Sequence, residues 1–543
     1  MSTKLRSITA MAAACTLIMG AVCSCGSRKE YAPKGDYRKD EHKNNNVIEQ
    51  PRDEEPECYE GACESPVWDQ PVEVSPDESY KEYIEGGFKD PKAEPLSTFS
   101  ADVDTASFTN VRRLIEDGVI VPEEAVRAEE FINYFDYDYP DPEEGRIFGD
   151  YVELADCPWN SRNKIMMIGI QGRRMEKKEL PPSNLVFLID SSGSMASYDK
   201  LPLVQTAFSM LAEQLTVNDR VSIVTYAGSS DTRISGASGK DKDDILEALY
   251  SITASGGTNG EGGINKAYKL AEKYFIEGGN NRVILATDGD LNIGASSVDE
   301  LTELIESKRD KGIYLSVLGF GTGNLKDDRM EALADNGNGN YSYIDSVEEA
   351  QRVLVKEMNG TLFTIAKDVK VQVEFNPSQI SRYRLIGYDN RLMNAEDFYD
   401  NTKDAGEVGA GHSVTALYEV ELAGSGDTYR GVPLEFASEH PEELAADTGR
   451  SELCKLSVTY KPVNSNEDIY ESQLFGMEKY NSVPSDSLKL ASAAAEFAML
   501  LKNSEYKGTS SFGHVFDTAF EMDDNEKAQE LYELAWNAEK LYR

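Results

Sequence analysis

Residues 185–194 read Leu-Val-Phe-Leu-Ile-Asp-Ser-Ser-Gly-Ser. Five consecutive apolar residues, too few for a helix and followed at once by small turn formers, are the pattern of a strand buried on both faces. Apolar runs at 221–226, 283–287 and 314–319 repeat it. Amphipathic stretches near 201–215, 243–252, 263–275 and 298–310 lie between them. Buried strands alternating with helices predict a parallel sheet covered on both faces. Ligands of such sheets bind at the C-terminal ends of the strands, where strand order reverses. Asp190, Ser192 and Ser194 stand at that end of the first strand. Being on alternate positions, one carboxylate and two hydroxyls can face a single point, and Gly193 lets the backbone curl around it.

Two later loops carry matching chemistry. Ser255-Gly256-Gly257-Thr258-Asn259 places the Thr258 hydroxyl before a helix, and Ala286-Thr287-Asp288-Gly289-Asp290 ends the next strand in Asp288. Both follow the same sheet, so both can reach the same edge. The donors are all hard oxygen, with no sulfur or imidazole. They suit a divalent cation, Mg²⁺ first, with Mn²⁺ or Ca²⁺ as alternatives. With few charged donors, the metal stays under-neutralised and an open position on it stays electrophilic.

Asp190-x-Ser192-x-Ser194, Thr258 and Asp288 together resemble the metal-ion-dependent adhesion site of von Willebrand factor type A (VWA) domains. The resemblance implies a doubly wound α/β domain binding one divalent cation. It also implies direct coordination by Ser192, Ser194 and Thr258, and coordination by Asp190 and Asp288 directly or through water. A partner's acidic side chain would complete the shell. Further stretches resemble one bacterial subfamily of VWA proteins with extended flanks. They include residues 99–107, Ile132-Asn133-Tyr134-Phe135, Gly319-Phe320-Gly321-Thr322-Gly323, Asn338-Gly339-Asn340-Tyr341, Gly409-Ala410-Gly411-His412 and residues 495–501. That resemblance covers most of 96–543 and implies architecture more than a task.

Outside 183–360, the VWA region, the period changes. Val369, Val371, Val373 and Phe375 alternate with polar residues, as do Ala416, Tyr418, Val420 and Leu422, and Cys454, Leu456, Val458 and Tyr460. These are antiparallel strands. Short strands near 151–154 and 165–170 precede the α/β unit. Residues 96–182, an N-terminal flank of helices and strands, and 361–475, a β-rich domain, are therefore expected to share one sandwich into which the doubly wound domain is inserted. Pro122-Glu123-Glu124 reads as a helix start, followed by Ala128, Phe131, Ile132 and Phe135 at helical spacing. The aromatic run 131–139 reads as core. Residues 476–543 turn helical, with an Ala-rich stretch near 488–501 and an apolar face at Leu531, Leu534, Ala535 and Ala538.

The N-terminus has basic Lys4 and Arg6, an apolar run at 8–22, then Val22-Cys23-Ser24-Cys25. This is the anatomy of a secretory signal over 1–25, and its end resembles a lipobox with Cys25 as the lipidated residue. Residues 26–95 are polar and aperiodic and read as a disordered acidic tether. Of seven cysteines, Cys15 and Cys23 would leave with the signal and Cys25 would be acylated. Cys58, Cys63, Cys157 and Cys454 remain. Cys58 and Cys63 could close a small loop; Cys157 and Cys454 could pair or stay as buried thiols.

The chain has 55 basic against 96 acidic residues, a net charge of −41, which argues against nucleic-acid binding. Four histidines supply triad or zinc chemistry poorly, and His412 and His514 stand isolated. Asp102-Val103-Asp104-Thr105 resembles a phosphatase nucleophile motif. It lacks the preceding apolar strand, and Ala106 stands where that motif needs threonine. The expectation is a lipid-anchored, periplasm-facing protein of the cell envelope and a binding module rather than an enzyme. Its partner would be a protein offering Asp or Glu to the cation. The alternatives are a metal-stabilised scaffold of the envelope and a metal-assisted hydrolase.

Overall fold

The computed structural model describes residues 74–101, 104–176, 178–289, 298–424, 451–463, 465, 467–522 and 525–543, all within one of the chain's two units, Val67–Arg543. The leader, Cys25, Cys58, Cys63, residues 26–73, Asp102 and Asp290 lie outside the described residues. Three strands precede the α/β region: β1 (Leu96–Ser100), β2 (Phe148–Asp156) and β3 (Lys164–Gly172). Six build it: β4 (Ser183–Asp190), β5 (Arg220–Tyr226), β6 (Ser230–Ser238), β7 (Asn280–Thr287), β8 (Ile313–Phe320) and β9 (Tyr341–Ile344). Seven come after it: β10 (Thr364–Phe375), β11 (Ile380–Ile386), β12 (Leu392–Met393), β13 (Gly406–Gly409), β14 (Ser413–Leu422), β15 (Glu452–Pro462) and β16 (Ile469–Gly476).

The central sheet runs β6-β5-β4-β7-β8-β9. It is parallel except for the antiparallel edge pair β5–β6. Alternate residues of β4 serve opposite faces, as the strand's period of two requires. Helices α1 (Ala106–Glu116) and α2 (Ala128–Asn133) precede this sheet in the chain; five others cover it: α3 (Leu201–Gln214), α4 (Lys242–Tyr250), α5 (Gly260–Lys273), α6 (Val298–Arg309) and α7 (Asp327–Asn336). Leu185, Phe187 and Ile189 pack with α3 and α4. Val186 and Leu188 pack with α5, α6 and α7.

The two flanks interleave. β1 pairs with β10, β10 with β15 and β15 with β16 in one antiparallel sheet, while β11-β14-β3-β2 form another. Val369, Val371, Val373 and Phe375 of β10 share a core with Ile168 and Ile170 of β3 and Ala416, Tyr418 and Val420 of β14. The opposite face of the second sheet, through Ile165, Met167 and Leu417, packs on α1, α2 and the C-terminal helices. After the short α8 (Val347–Gln351) and α9 (Met358–Leu362), those are α10 (Asp486–Leu501), α11 (Phe512–Phe520) and α12 (Glu526–Leu541). The aromatic run 131–139 supplies this core with Phe131, Tyr134, Phe135, Tyr137 and Tyr139.

Two expectations are corrected. Residues 74–95, read as the end of a tether, are packed on the body. Glu78 pairs with the buried Arg113 at 2.9 Å and accepts from the Gly323 amide. Glu85 pairs with the buried Arg384 at 3.1 Å, and the Ser79 amide donates to Leu325 O. Scattered acids that look like solvated charge here neutralise arginines remote in sequence. Pro122 opens only a 3₁₀ turn, Glu123–Ala125, and the helix starts at Ala128. The chain extends between them to deliver the buried Arg127 to Glu130 and Asp327. Asp104, of the phosphatase-like motif, is a buried structural acid that accepts from the Tyr341 amide at 2.7 Å and pairs with Arg391.

Cys157 and Cys454 are free and buried, so the alternative of a bond between them falls. Burial pushes both thiols up, Cys454 to about 12, and both are inert at neutral pH. No helix among the described residues is long and apolar enough to cross a membrane.

His514, at the start of α11, places Nδ1 3.0 and 2.9 Å from the two carboxylate oxygens of the buried Glu496 on α10. That hydrogen bond, with Asp517 and Glu521 nearby, holds the imidazole above its ordinary 6.5. A base raised by folding stabilises fully below its unfolded pKa and loses that contribution as pH rises through the folded value. Stability is therefore expected to fall from pH 6.5 upward, and His514→Gln to flatten that slope in melts between pH 6 and 8.5. An unchanged slope would remove the pair from the folding energetics.

Candidate functional site

Asp190 ends β4 and Asp288 follows β7, the strands on either side of the reversal in strand order. The sequence folds this way because each apolar run stops at a polar turn that the sheet cannot absorb. Ser191 clips its amide to Tyr226 O of β5 at 2.9 Å, and the Ser192 amide donates to Asp190 Oδ1 at 2.8 Å. The Ser192 and Ser194 hydroxyls lie 2.9 Å apart. The Ser255 amide donates to Ser191 O, and the Gly193 amide to Gly256 O. The loop carrying Thr258 is thereby pinned to the loop carrying the serines. Gly289 has φ +96°, and a Cβ there would stand 2.5 Å from the Lys326 amide nitrogen; only glycine lets the Asp288 turn pass.

The structure brings four of the five expected residues into one network. Asp190 and Asp288 are fully buried and Ser192 nearly so, with Ser194 exposed at the mouth. Ser194 donates to Asp288. Thr258 is half-buried on the pinned loop. Burial, with a smaller push from Asp288, raises the Asp190 carboxyl to about 6. Burial would raise Asp288 too, but Lys200 and hydrogen bonds from Asn324, Ser194 and Lys200 outweigh it and hold that carboxyl below its ordinary value.

Two members of this network went unread in the sequence. Lys200 Nζ lies 3.0 Å from Asp288 Oδ2 and 2.9 Å from Asn324 Oδ1. A lysine at a helix start and an asparagine in a Gly-rich loop carry no signal of their own; only the fold joins them to Asp288.

Two carboxylates and a set of hydroxyls, with no sulfur or imidazole, fit a hard divalent cation. The fit rests on that donor chemistry alone: among the described residues, no cluster of three or more His, Cys, Asp or Glu is placed to hold a metal. The site opens to solvent at Ser194, which is exposed.

The fold is that of a VWA-type α/β domain carried on antiparallel sheets and C-terminal helices. Residues 184–357 match the family described as "von Willebrand factor type A domain", 74–167 that described as "von Willebrand factor", and 360–541 that described as "Uncharacterized protein YfbK, C-terminal". The YfbK protein of Escherichia coli (strain K12) is 39% identical over 447 residues, 80% of this chain and 76% of that protein. The chain belongs to the YfbK family of VWA domain proteins. It is also similar to human inter-alpha-trypsin inhibitor heavy chain H3, 30% identical over 31% of this chain and 20% of that one. Among solved structures, a von Willebrand factor type A protein from Catenulispora acidiphila aligns at 13% identity over 73% of this chain and 91% of that chain, with a TM-score of 0.41.

Proposed function

We propose that the protein is an exported, lipid-anchored binding module of the cell envelope. In this reading it captures a protein partner through a divalent cation, Mg²⁺ first, held by Asp190, Ser192, Ser194, Thr258 and Asp288. The observation that carries it is the convergence of two buried carboxylates and the serine hydroxyls at the reversal point of the sheet, with only Ser194 and the rim open to solvent. When bound, the cation supplies an electrophilic position for an external carboxylate. Around it, Ser192 and Ser194 offer neutral oxygens that do not cancel its charge. Tyr198, four residues after Ser194 in the chain and 88% exposed, offers aromatic surface, the residue type favoured at the centre of interfaces. Cys25 would carry the lipid, facing the periplasm. The acidic balance of the chain opposes nucleic acid as partner.

The test is cross-linking in cells followed by identification of captured proteins, comparing wild type, Asp190→Ala and wild type washed with chelator. Specific captured proteins should be lost in both of the latter. Capture that persists unchanged in excess chelator would overturn the bridging mechanism.

A further inference from the structure

We infer that Lys200 sets the charge of the cation site, so that a divalent ion is held firmly only when an external carboxylate joins it. This rests on the cation reading proposed above and goes beyond it, because it assigns the coupling between ion and partner to one residue outside the ligand set.

The placement of Lys200 is built in. The residue is 6% exposed and begins α3 through its carbonyl, which accepts from the Val204 amide. Its stem crosses Gly321 so closely that a Cβ there would lie 2.3 Å from Lys200 Cγ and 2.4 Å from Cε. Gly321 has φ +75°, so the backbone is shaped to let the stem through. The ammonium ends between Asp288 and Asn324, and Asn324 in turn donates to Asp288. A side chain buried along its length and held at its tip cannot leave when an ion arrives without opening the β8–α7 loop.

The charge arithmetic then decides the behaviour. Asp190 and Asp288 carry two negative charges, and Lys200 returns one. A divalent ion added to this set leaves one net positive charge in a buried, low-dielectric site, where uncompensated charge is costly. One external carboxylate cancels it. Without Lys200 the two aspartates alone would neutralise the ion, and a third acid would bring no charge compensation. Lys200 thus weakens the ion's hold in the absence of ligand and strengthens it in the presence of ligand. By linkage, the ion and the acidic group raise each other's affinity by the same factor.

The experiment titrates the full chain with Mn²⁺ by calorimetry, with and without saturating acetate. The variants are Lys200→Met, Lys200→Gln, Lys200→Arg and Asp190→Ala. Methionine keeps an unbranched stem over Gly321; glutamine keeps a polar tip without charge and serves if the methionine variant folds poorly. Wild type should bind Mn²⁺ about tenfold more tightly with acetate, within the range usual for coupled sites. Lys200→Met and Lys200→Gln should bind Mn²⁺ about tenfold more tightly than wild type in its absence and lose the acetate effect. Lys200→Arg should retain the wild-type ratio. Mn²⁺ binding lost in Asp190→Ala, with the acetate effect unchanged in both neutral variants, would overturn the role of Lys200 alone. Lys200→Arg behaving like Lys200→Met would show packing, not charge, and also overturn it. Mn²⁺ binding that survives Asp190→Ala, or is absent from wild type, would sink the cation reading and this inference with it.

Discussion

Glu419→Ala should cost about 3–5 kcal/mol of stability, the usual result of stranding a buried charge, seen as a lowered urea midpoint. Glu419 sits on β14 with its side chain 2% exposed, and it pairs at 3.2 Å with Arg384 on β11, whose side chain is fully buried. Its oxygens also accept from Trp159 Nε1 at 3.1 Å, Asn160 Nδ2 at 3.0 Å and Asn163 Nδ2 at 2.6 Å. Truncation strips all four donors at once. Arg384 keeps one carboxylate, Glu85, which is partly exposed, together with the Met499 sulfur at 3.5 Å and the rings of Tyr506, 4.4 Å away, and Phe88. Because Glu85 belongs to the segment before β1 and Tyr506 follows α10, amide exchange near both should quicken as well. The double variant Arg384→Met with Glu419→Leu tests the cause. If the penalty is the orphaned cation, the double variant should recover much of the loss, since well-packed apolar pairs often replace buried ion pairs at little cost. A double variant as unstable as Glu419→Ala would put the cost in the lost asparagine and tryptophan hydrogen bonds.

The parts legible in the sequence were those governed by short-range periodicity. β4, β5, β7 and β8 announce themselves as apolar runs because both their faces are covered. β10, β14 and β15 show alternation along one face. Asp190, Ser192, Ser194 and Asp288 were legible because a strand that stops at a polar turn places its next residues on the sheet's edge. β6 was not legible: it is a polar edge strand, Ser230–Ser238, with no buried face to pattern it. β9 is four residues long, too short for any period. The packing of 74–95 was hidden for another reason. Glu78 and Glu85 look like solvent charges until Arg113 and Arg384 are known to be buried opposite them. Lys200 was unreadable on the same ground, since its partner lies 88 residues away. Pairings between distant charges depend on topology, which periodicity does not encode.

Mg²⁺ at about a hundred times its dissociation constant should stabilise the wild-type protein by about 2.7 kcal/mol, and Asp190→Asn should show none of this gain. Without metal, the variant should be the more stable. Asp190 is fully buried, next to a second carboxylate, and burial lifts its carboxyl from 3.8 to about 6. A carboxyl raised in the fold is one whose ionised form folding disfavours, so its charge lowers stability above that pH. The sign is therefore opposite to that of a salt-bridged acid. Wild type without metal should lose stability as pH rises from about 4 to about 6 relative to Asp190→Asn, and the gap should stay constant above. At pH 7 the gap should be on the order of 1–3 kcal/mol. Asparagine keeps an acceptor for the Ser192 amide, so the turn itself is preserved. Melting curves of both proteins, with chelator and with Mg²⁺, across pH 4.5 to 8 read all three effects. Equal Mg²⁺ gains in the two proteins would remove the ion from this site. A less stable Asp190→Asn in chelator would make Asp190 a structural acid. A fold that holds a costly charge in place for a cation to use must yield a variant that is sturdier without metal and indifferent to it.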